Sequence, residues 1–225
     1  MLSCLVSLPV AAVQINFTGG NVVLNGGGTE TTNNSAVWDD VDYYEEGGFK
    51  LDFIQSGSGG AFATHIGDYY AAGNDVIHAH WLAGSDGDVT EIVVTKLDNT
   101  AFDLNYFVLT SNTEARGANG GPASGNEQTY INASTDGVTI SYSMLLPSET
   151  WGFPATQIYL DSHFDNIKKF TFDVKNVVNC FGMDNFYIDE PPPNPVSEPS
   201  TLSLLAITLV GLELQRHKKG QGQGV

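Results

Sequence analysis

Short runs in which apolar and polar residues alternate recur along the first 190 residues of the chain. The clearest spans residues 138–144, two others span 49–53 and 170–174, and residues 91–96 and 102–110 are further strand candidates. Alternation with a period of two places successive side chains on opposite faces of a sheet, so each run predicts a strand with one apolar face. No run in this part repeats its apolar residues every 3.6 positions, as an amphipathic helix does.

Clusters of glycine, asparagine and aspartate separate these runs and predict tight turns. They lie at residues 25–28, 57–60, 86–88, 98–99, 117–125 and 136–137. About eight to twelve short strands at this spacing are typical of a sandwich or a jelly roll. We therefore predict an all-β fold, an antiparallel β-sandwich of jelly-roll type over residues 13–190, followed by one short C-terminal hydrophobic helix.

Both ends of the chain differ from this body. Residues 1–12 are apolar, end in small residues and resemble a signal peptide that lacks its basic start, with cleavage after Ala12. The proline-rich residues 191–197 predict an extended spacer. Residues 198–219 then form an apolar segment with a basic end, and residues 220–225 a disordered tail.

Charge excludes one class of partner. Residues 1–195 hold 6 basic and 24 acidic side chains, a net charge of −18. Nucleic-acid binding depends on lysine and arginine contacts to phosphate, so no nucleic-acid partner is expected. Of the two cysteines, Cys4 lies in the leader and Cys180 in the body, so the sequence predicts no disulfide framework.

The apolar part of the tail is short for a membrane anchor. Residues 200–215 would form a helix of about 24 Å, whereas a bilayer core is about 30 Å thick. Glu213 near the end of this segment raises the free energy of inserting it into a membrane. The basic residues at 216–219 indicate a cytoplasmic end, which would leave the body outside.

The tail resembles a known sorting signal. Residues 197–202 read SEPSTL, and Glu198, Pro199, Ser200 and Thr201 are followed by the apolar segment and the basic end. This order is similar to that of the PEP-CTERM proteins of bacteria. The resemblance implies processing by an exosortase-type enzyme, transient anchoring in the inner membrane through residues 200–215, and export to the cell surface or the extracellular exopolysaccharide.

The body resembles the β-sandwich domains of such proteins, which are similar to carbohydrate-binding modules. The matching segments are residues 15–17, 46–49, 164–167 and 181–186. The resemblance implies a polysaccharide ligand and a structural calcium ion that ties the first strands to the last. It also places Glu46 near the last strand.

Asp184 is the best candidate for a calcium ligand. It shares strand parity with Phe186 and Ile188, and a carboxylate on an inward face is costly unless it is paired or metal-bound. Calcium prefers carboxylate and carbonyl oxygens. We therefore predict a calcium site at Glu46 and Asp184; the alternative is that Asp184 caps a turn at the rim of the sheet.

Aromatic residues near predicted loops are candidates for binding sugar rings. They are Tyr69, Tyr70, Trp81 and Trp151, and the alternative is that they cover the edges of the core. His78 and His80 alternate on one strand face with His65 upstream, which suggests zinc, but no third ligand is fixed.

The sequence favours a non-catalytic protein. The acidic pairs Asp39/Asp40, Glu45/Glu46 and Asp161/Asp165 are its only catalytic material, and no nucleophile elbow, zinc-protease motif or phosphate loop is present. We expect an exported surface or matrix protein that binds polysaccharide. The alternatives are a glycoside hydrolase or lyase on a jelly-roll fold, and a purely structural surface protein.

Overall fold

The fold is seen in a computed structural model. It describes residues 12–33, 36–56, 64–67, 76–79, 88–113, 128–147, 156–174 and 180–190. The chain divides into two compact units, Met1–Glu190 and Pro191–Val225, and all of the described residues belong to the first. Across the described ranges there is no helix that is both long enough and apolar enough to cross a membrane.

The described residues form strands joined by turns, with one 3₁₀ turn at Ser162–Phe164. In chain order the strands are β1 (Val13–Ile15), β2 (Asn21–Leu24), β3 (Thr29–Thr31), β4 (Val37–Asp39), β5 (Val41–Glu46), β6 (Phe49–Ser56), β7 (Thr64–Gly67), β8 (Val76–Ala79), β9 (Asp88–Lys96), β10 (Leu104–Thr113), β11 (Thr129–Ser134), β12 (Tyr142–Leu145), β13 (Thr156–Tyr159), β14 (Lys169–Val174) and β15 (Cys180–Ile188).

These strands build two antiparallel sheets. Sheet A has the order β13-β10-β15-β8-β7-β4, with β1 added to β15, and sheet B has the order β12-β11-β14-β9-β6-β5-β2-β3. The predicted all-β sandwich is therefore confirmed. The predicted C-terminal helix lies outside the described residues.

Strand β15 lies in the middle of sheet A. One of its edges pairs with β10 along most of its length. The other edge is shared, because β8 pairs with residues 181–183 and β1 pairs with residues 186–188. The first and last strands of the described body are thus neighbours.

The two sheets enclose one apolar core that is rich in phenylalanine. Phe107 and Phe186 from sheet A meet Phe170 and Phe172 from sheet B, and all four rings are fully buried. The ring centroids of Phe186 and Phe170 are 5.4 Å apart, and those of Phe107 and Phe172 are also 5.4 Å apart. Such tilted and edge-on pairs add to the stabilisation from burial alone.

Most of the predicted strands are present. Residues 49–53, 91–96 and 170–174 lie in β6, β9 and β14. The candidate at 102–110 starts later than expected, since Phe102 makes only an isolated bridge to Ile167 and β10 begins at Leu104.

The strand predicted over residues 138–144 is wrong in its first half. The carboxylate of Asp136 accepts the backbone N–H groups of Val138 and Thr139 at 2.8 and 2.7 Å, which holds these residues in a bend. Val138 is therefore 81% exposed, and the strand β12 begins only at Tyr142. A local side-chain acceptor has overcome the alternating pattern.

Candidate functional site

Three tyrosines form a row across neighbouring strands on the outer face of sheet A. Tyr159 of β13 lies opposite Tyr106 of β10, and Tyr106 lies opposite Tyr187 of β15. Gln14 of β1 lies opposite Tyr187 and continues the row. We call Tyr159, Tyr106 and Tyr187 the tyrosine row. Three strand spacings of about 4.8 Å make the line from Tyr159 to Gln14 roughly 14 Å long.

The row faces outward because its strand neighbours face inward. Phe107 follows Tyr106, and Phe186 and Ile188 flank Tyr187; all three are fully buried. Alternation along each strand then places the tyrosines on the opposite face. Tyr159 on the edge strand is 60% exposed, and Tyr106 and Tyr187 are half-buried.

The rings of the row lie against one another. Tyr106 and Tyr187 are stacked, with their centroids 3.9 Å apart and an interplanar angle of 17°. Tyr159 continues the stack at 5.5 Å with a tilt of 38°. Because β13 is the outermost strand of sheet A in the described residues, no further strand follows Tyr159, whose ring is the most exposed of the three.

Polar groups accompany the row along its length. Gln14 Nε2 donates to Tyr187 Oη at 3.3 Å, and Tyr159 Oη donates to Gln157 Oε1 at 2.9 Å. Tyr106 Oη donates to Glu190 Oε2 at 3.4 Å. The backbone of Glu190 is fixed in turn, since its N–H donates to Asn105 Oδ1 at 2.8 Å.

The hydroxyls of Tyr106 and Tyr187 stay protonated at neutral pH. Burial, followed by the charge of Glu190, raises the pKa of Tyr106 to about 12. Burial, followed by the charges of Asp184 and Glu190, also raises the pKa of Tyr187. Both side chains therefore present neutral O–H groups that donate and accept hydrogen bonds.

This arrangement combines aromatic surface with neutral hydrogen-bonding groups. The exposed ring of Tyr159 and the outward edges of the stacked Tyr106 and Tyr187 offer apolar surface, and hydroxyl and amide groups fix the orientation of a polar ligand that rests on it. The extended shape of the row suits a chain-like ligand better than a single small molecule. Few of these groups carry a charge, so the ligand need not carry one either.

Sequence reasoning missed this site. It chose Tyr69, Tyr70, Trp81 and Trp151 as ligand-binding residues, and all four lie outside the described residues, as do the sorting residues 198–201. A signal for the row was nevertheless present in the sequence. Each of its tyrosines takes a position in a strand where the alternation calls for a polar residue.

Glu46 ties the turn after β1 to the end of β5. Its Oε2 accepts the backbone N–H of Phe17 at 2.8 Å and the hydroxyl of Tyr44 at 2.9 Å. The N–H of Asn16 lies 3.2 Å from both carboxylate oxygens. Phe17 takes a left-handed backbone conformation, with φ of 61°, so these bonds hold a turn that is unfavourable for a bulky residue.

The hydroxyl of Tyr44 is closely surrounded by other residues. Its buried hydroxyl also contacts Thr32 Oγ1 at 3.1 Å and accepts the N–H of Gly20 at 3.2 Å. A Cβ atom at Gly20 would lie 2.3 Å from this hydroxyl, so only glycine fits there. Burial raises the pKa of Tyr44, and burial also raises the pKa of Glu46 despite its hydrogen bonds.

The two predicted calcium ligands belong to different sheets, since Glu46 ends β5 of sheet B and Asp184 lies in β15 of sheet A. Glu46 contacts the turn that follows β1, and Asp184 lies in β15, where it is 7% exposed. The N–H and O–H groups that point at Glu46 are donors, which oppose a cation at the same oxygen. Within the described ranges, no group of three or more His, Cys, Asp or Glu is placed to hold a metal ion. Calcium binding by this pair stays a prediction.

His65, Asp39, Asp40 and Asp161 have local roles. His65 Nδ1 lies 2.6 Å from Asp39 Oδ1, and the pairing of β7 with β8 places His65 opposite His78; His80 lies outside the described residues. Asp40 accepts a hydrogen bond from Asn25, and Asp161 caps the 3₁₀ turn. These carboxylates therefore stabilise turns and strand ends.

Comparison with known proteins gives distant structural resemblances alone. No protein-family model matches the chain, and no curated protein is significantly similar to it. A DUF4465 family protein from Bacteroides ovatus superposes with a TM-score of 0.40 and 10% identity, covering 79% of this chain and 98% of that one. A carbohydrate binding module of family 29 superposes with a TM-score of 0.35 and 9% identity, covering 84% of this chain and 100% of that one. The adhesin domain of Lys-gingipain from Porphyromonas gingivalis superposes with a TM-score of 0.33 and 13% identity, covering 80% of this chain and 96% of that one. At these scores the resemblances carry no argument about what this protein binds, and the fold follows from its own strand pairing.

Proposed function

We propose that the protein is an exported, non-catalytic surface or matrix protein that binds polysaccharide through the tyrosine row. The observation that supports this proposal is the alignment of Tyr159, Tyr106 and Tyr187 across three neighbouring strands. A row of rings with hydroxyl and amide groups at its margins offers repeated contacts to a chain of sugar rings.

The position of the row also supports binding of an extended ligand. The row crosses the strands of a sheet, so its spacing is set by the rigid backbone and does not depend on loops. A site of this kind loses little conformational entropy when a ligand binds, because its side chains are already ordered by stacking.

Replacement of Tyr159 by alanine is expected to weaken polysaccharide binding at least about tenfold. The variant removes the most exposed ring of the row, and it leaves the core unchanged. Affinity electrophoresis of the full chain against a panel of soluble polysaccharides measures the effect, and thermal unfolding checks that the fold is intact.

Tyr130→Ala is the matched control for that measurement. Tyr130 is a half-buried tyrosine of β11 in sheet B, and its hydroxyl contacts Gln128. Polysaccharide in the gel should slow the migration of the control variant as much as that of the unmodified protein. Binding through the row would be contradicted if both variants lost polysaccharide binding equally. It would also be contradicted if no polysaccharide of the panel slowed the unmodified protein.

Export and sorting are the second part of the proposal, and they rest on the sequence patterns at the two ends of the chain. The exported protein is expected to lack residues 1–12 and the apolar segment 200–215. Intact-mass analysis of the protein recovered from the cell surface locates both cleavages at once. A mass that retains both segments would be incompatible with this route.

A further inference from the structure

The charges beside the tyrosine row bear on the kind of polysaccharide that it accepts. Glu190 Oε2 lies 3.4 Å from Tyr106 Oη, so a carboxylate lies directly beside the middle ring. Burial, followed by the charges of Asp184 and Glu190, raises the pKa of Tyr187. Asp161 comes two residues after Tyr159 and is exposed. A carboxylate thus contacts Tyr106, acidic charges act on Tyr187, and a further acidic residue follows Tyr159 in the chain.

Among the described residues, the partners of the row are neutral or acidic. Of the described side chains that stack in the row or hydrogen bond to it, none is basic. Lys96 of sheet B is 18% exposed, and its Nζ lies 3.9 Å from Asp189 Oδ2, beside Glu190 in the chain. The chain as a whole carries a net charge of −17. A ligand that approaches the row therefore meets a negative potential.

We propose that the tyrosine row accepts uncharged polysaccharides and excludes carboxylated ones, with Glu190 as the residue that sets this selectivity. This inference rests on the polysaccharide binding proposed above. A neutral glycan uses the hydroxyl and amide groups without an electrostatic cost. A uronate or another carboxylated sugar would bring its charge next to Glu190, and no lysine or arginine of the row offsets the repulsion.

Two properties follow from a selectivity that is electrostatic. Binding of an uncharged polysaccharide should change little with salt, because the contacts are neutral. Rejection of a carboxylated polysaccharide should weaken as salt is added, because the Debye length falls from about 30 Å at 0.01 M to about 3 Å at 1 M.

Matched polymers test the proposal directly. Hydroxyethylcellulose and carboxymethylcellulose share one backbone, as do dextran and carboxymethyl-dextran, and each pair differs in charge. For the full chain at low salt, we expect the carboxymethyl form of any polymer that binds to bind at least about tenfold more weakly than the uncharged form. The difference between the two affinities should become smaller at high salt.

Glu190→Gln should reduce this preference several-fold, since it removes the charge and keeps the shape of the side chain. Glu91→Gln is the control, because it removes the same charge from β9 of sheet B, whereas the row lies on sheet A. The control should keep the preference of the unmodified protein. The ratio of the two affinities is the readout, so a small change in overall binding does not disturb it.

The outcomes separate the two proposals. If neither form of any polymer binds, polysaccharide binding itself is contradicted. If a carboxymethyl form binds as tightly as its uncharged partner at low salt, or if Glu190→Gln leaves the ratio unchanged, the charge selectivity is contradicted while polysaccharide binding stands.

Discussion

Replacing Phe186 by alanine is expected to lower the free energy of unfolding by about 3–5 kcal/mol. Phe186 is fully buried at the centre of the sandwich. Its ring centroid lies 5.4 Å from that of Phe170, 5.8 Å from that of Phe107 and 5.9 Å from that of Phe17. Truncation would leave a cavity between the two sheets, and rings held by rigid strands cannot collapse to fill it.

Urea unfolding of the purified protein measures this loss. A domain of this size should also melt roughly 6–20 °C lower, at about 2–4 °C per kcal/mol. Val138→Ala is the control, because Val138 is 81% exposed and its loss should change stability by less than about 0.5 kcal/mol. Equal stability of the Phe186 variant and the unmodified protein would mean that the sheets do not pack as described.

Glu46→Ala is expected to destabilise the protein by about 2–3 kcal/mol near neutral pH. The change removes the acceptor of the Phe17 and Asn16 N–H groups and of the Tyr44 hydroxyl. Phe17 is fully buried, so its N–H would lose its acceptor in a place that is poor in water. Glu45→Ala is the matched control, since Glu45 is the preceding residue and lies on the other face of β5.

The pH dependence of this effect has a definite sign. Burial raises the pKa of Glu46 above its ordinary value of 4.5, so the folded state binds a proton more readily than the unfolded state. The contribution of Glu46 is thus full below about pH 4.5 and falls as pH rises through the folded-state pKa. Unfolding measured from pH 4 to pH 7 should show a larger difference between Glu46→Ala and the unmodified protein at pH 4. A difference that grows toward pH 7 would contradict this account.

The strands were predictable where the alternating pattern alone decides the structure. Every second side chain of residues 49–53 lies in the core, and Phe170 and Phe172 do the same in β14. Residues 138–140 show the limit of that reasoning, because the carboxylate of Asp136 captures two backbone N–H groups and bends the chain. The sequence contains Asp136, but the choice between bend and strand depends on how β11 and β12 meet.

Irregular pairing in β15 also limits how well the alternation of positions predicts which face of the sheet a side chain takes. Met183 and Phe186 are both fully buried although they differ by an odd number of positions. The register against β10 shifts between Phe107 and Leu109, which resets the alternation. Reasoning that Asp184 shares a face with Phe186 assumed an uninterrupted strand. Asp184 is nevertheless buried, as that reasoning expected.

The tyrosine row was beyond prediction from sequence for a different reason. Its members are residues 106, 159 and 187, and nothing in their local sequences states that β10 lies between β13 and β15. Each tyrosine was visible as an aromatic residue at a solvent-facing position. Their alignment depends on the order of the strands and on the register of two separate pairs, and both are set by the packing of the whole sandwich.

The central place of β15 in sheet A has a consequence for the order of events during synthesis. The ribosome makes this strand last among the described strands, yet β10, β8 and β1 all pair with it. Sheet A therefore cannot close until residue 188 has been made, and contacts between such distant parts of a chain form slowly. Sheet B contains no part of β15 and its last strand ends at Val174, so sheet A is the later of the two sheets to be completed in a nascent chain.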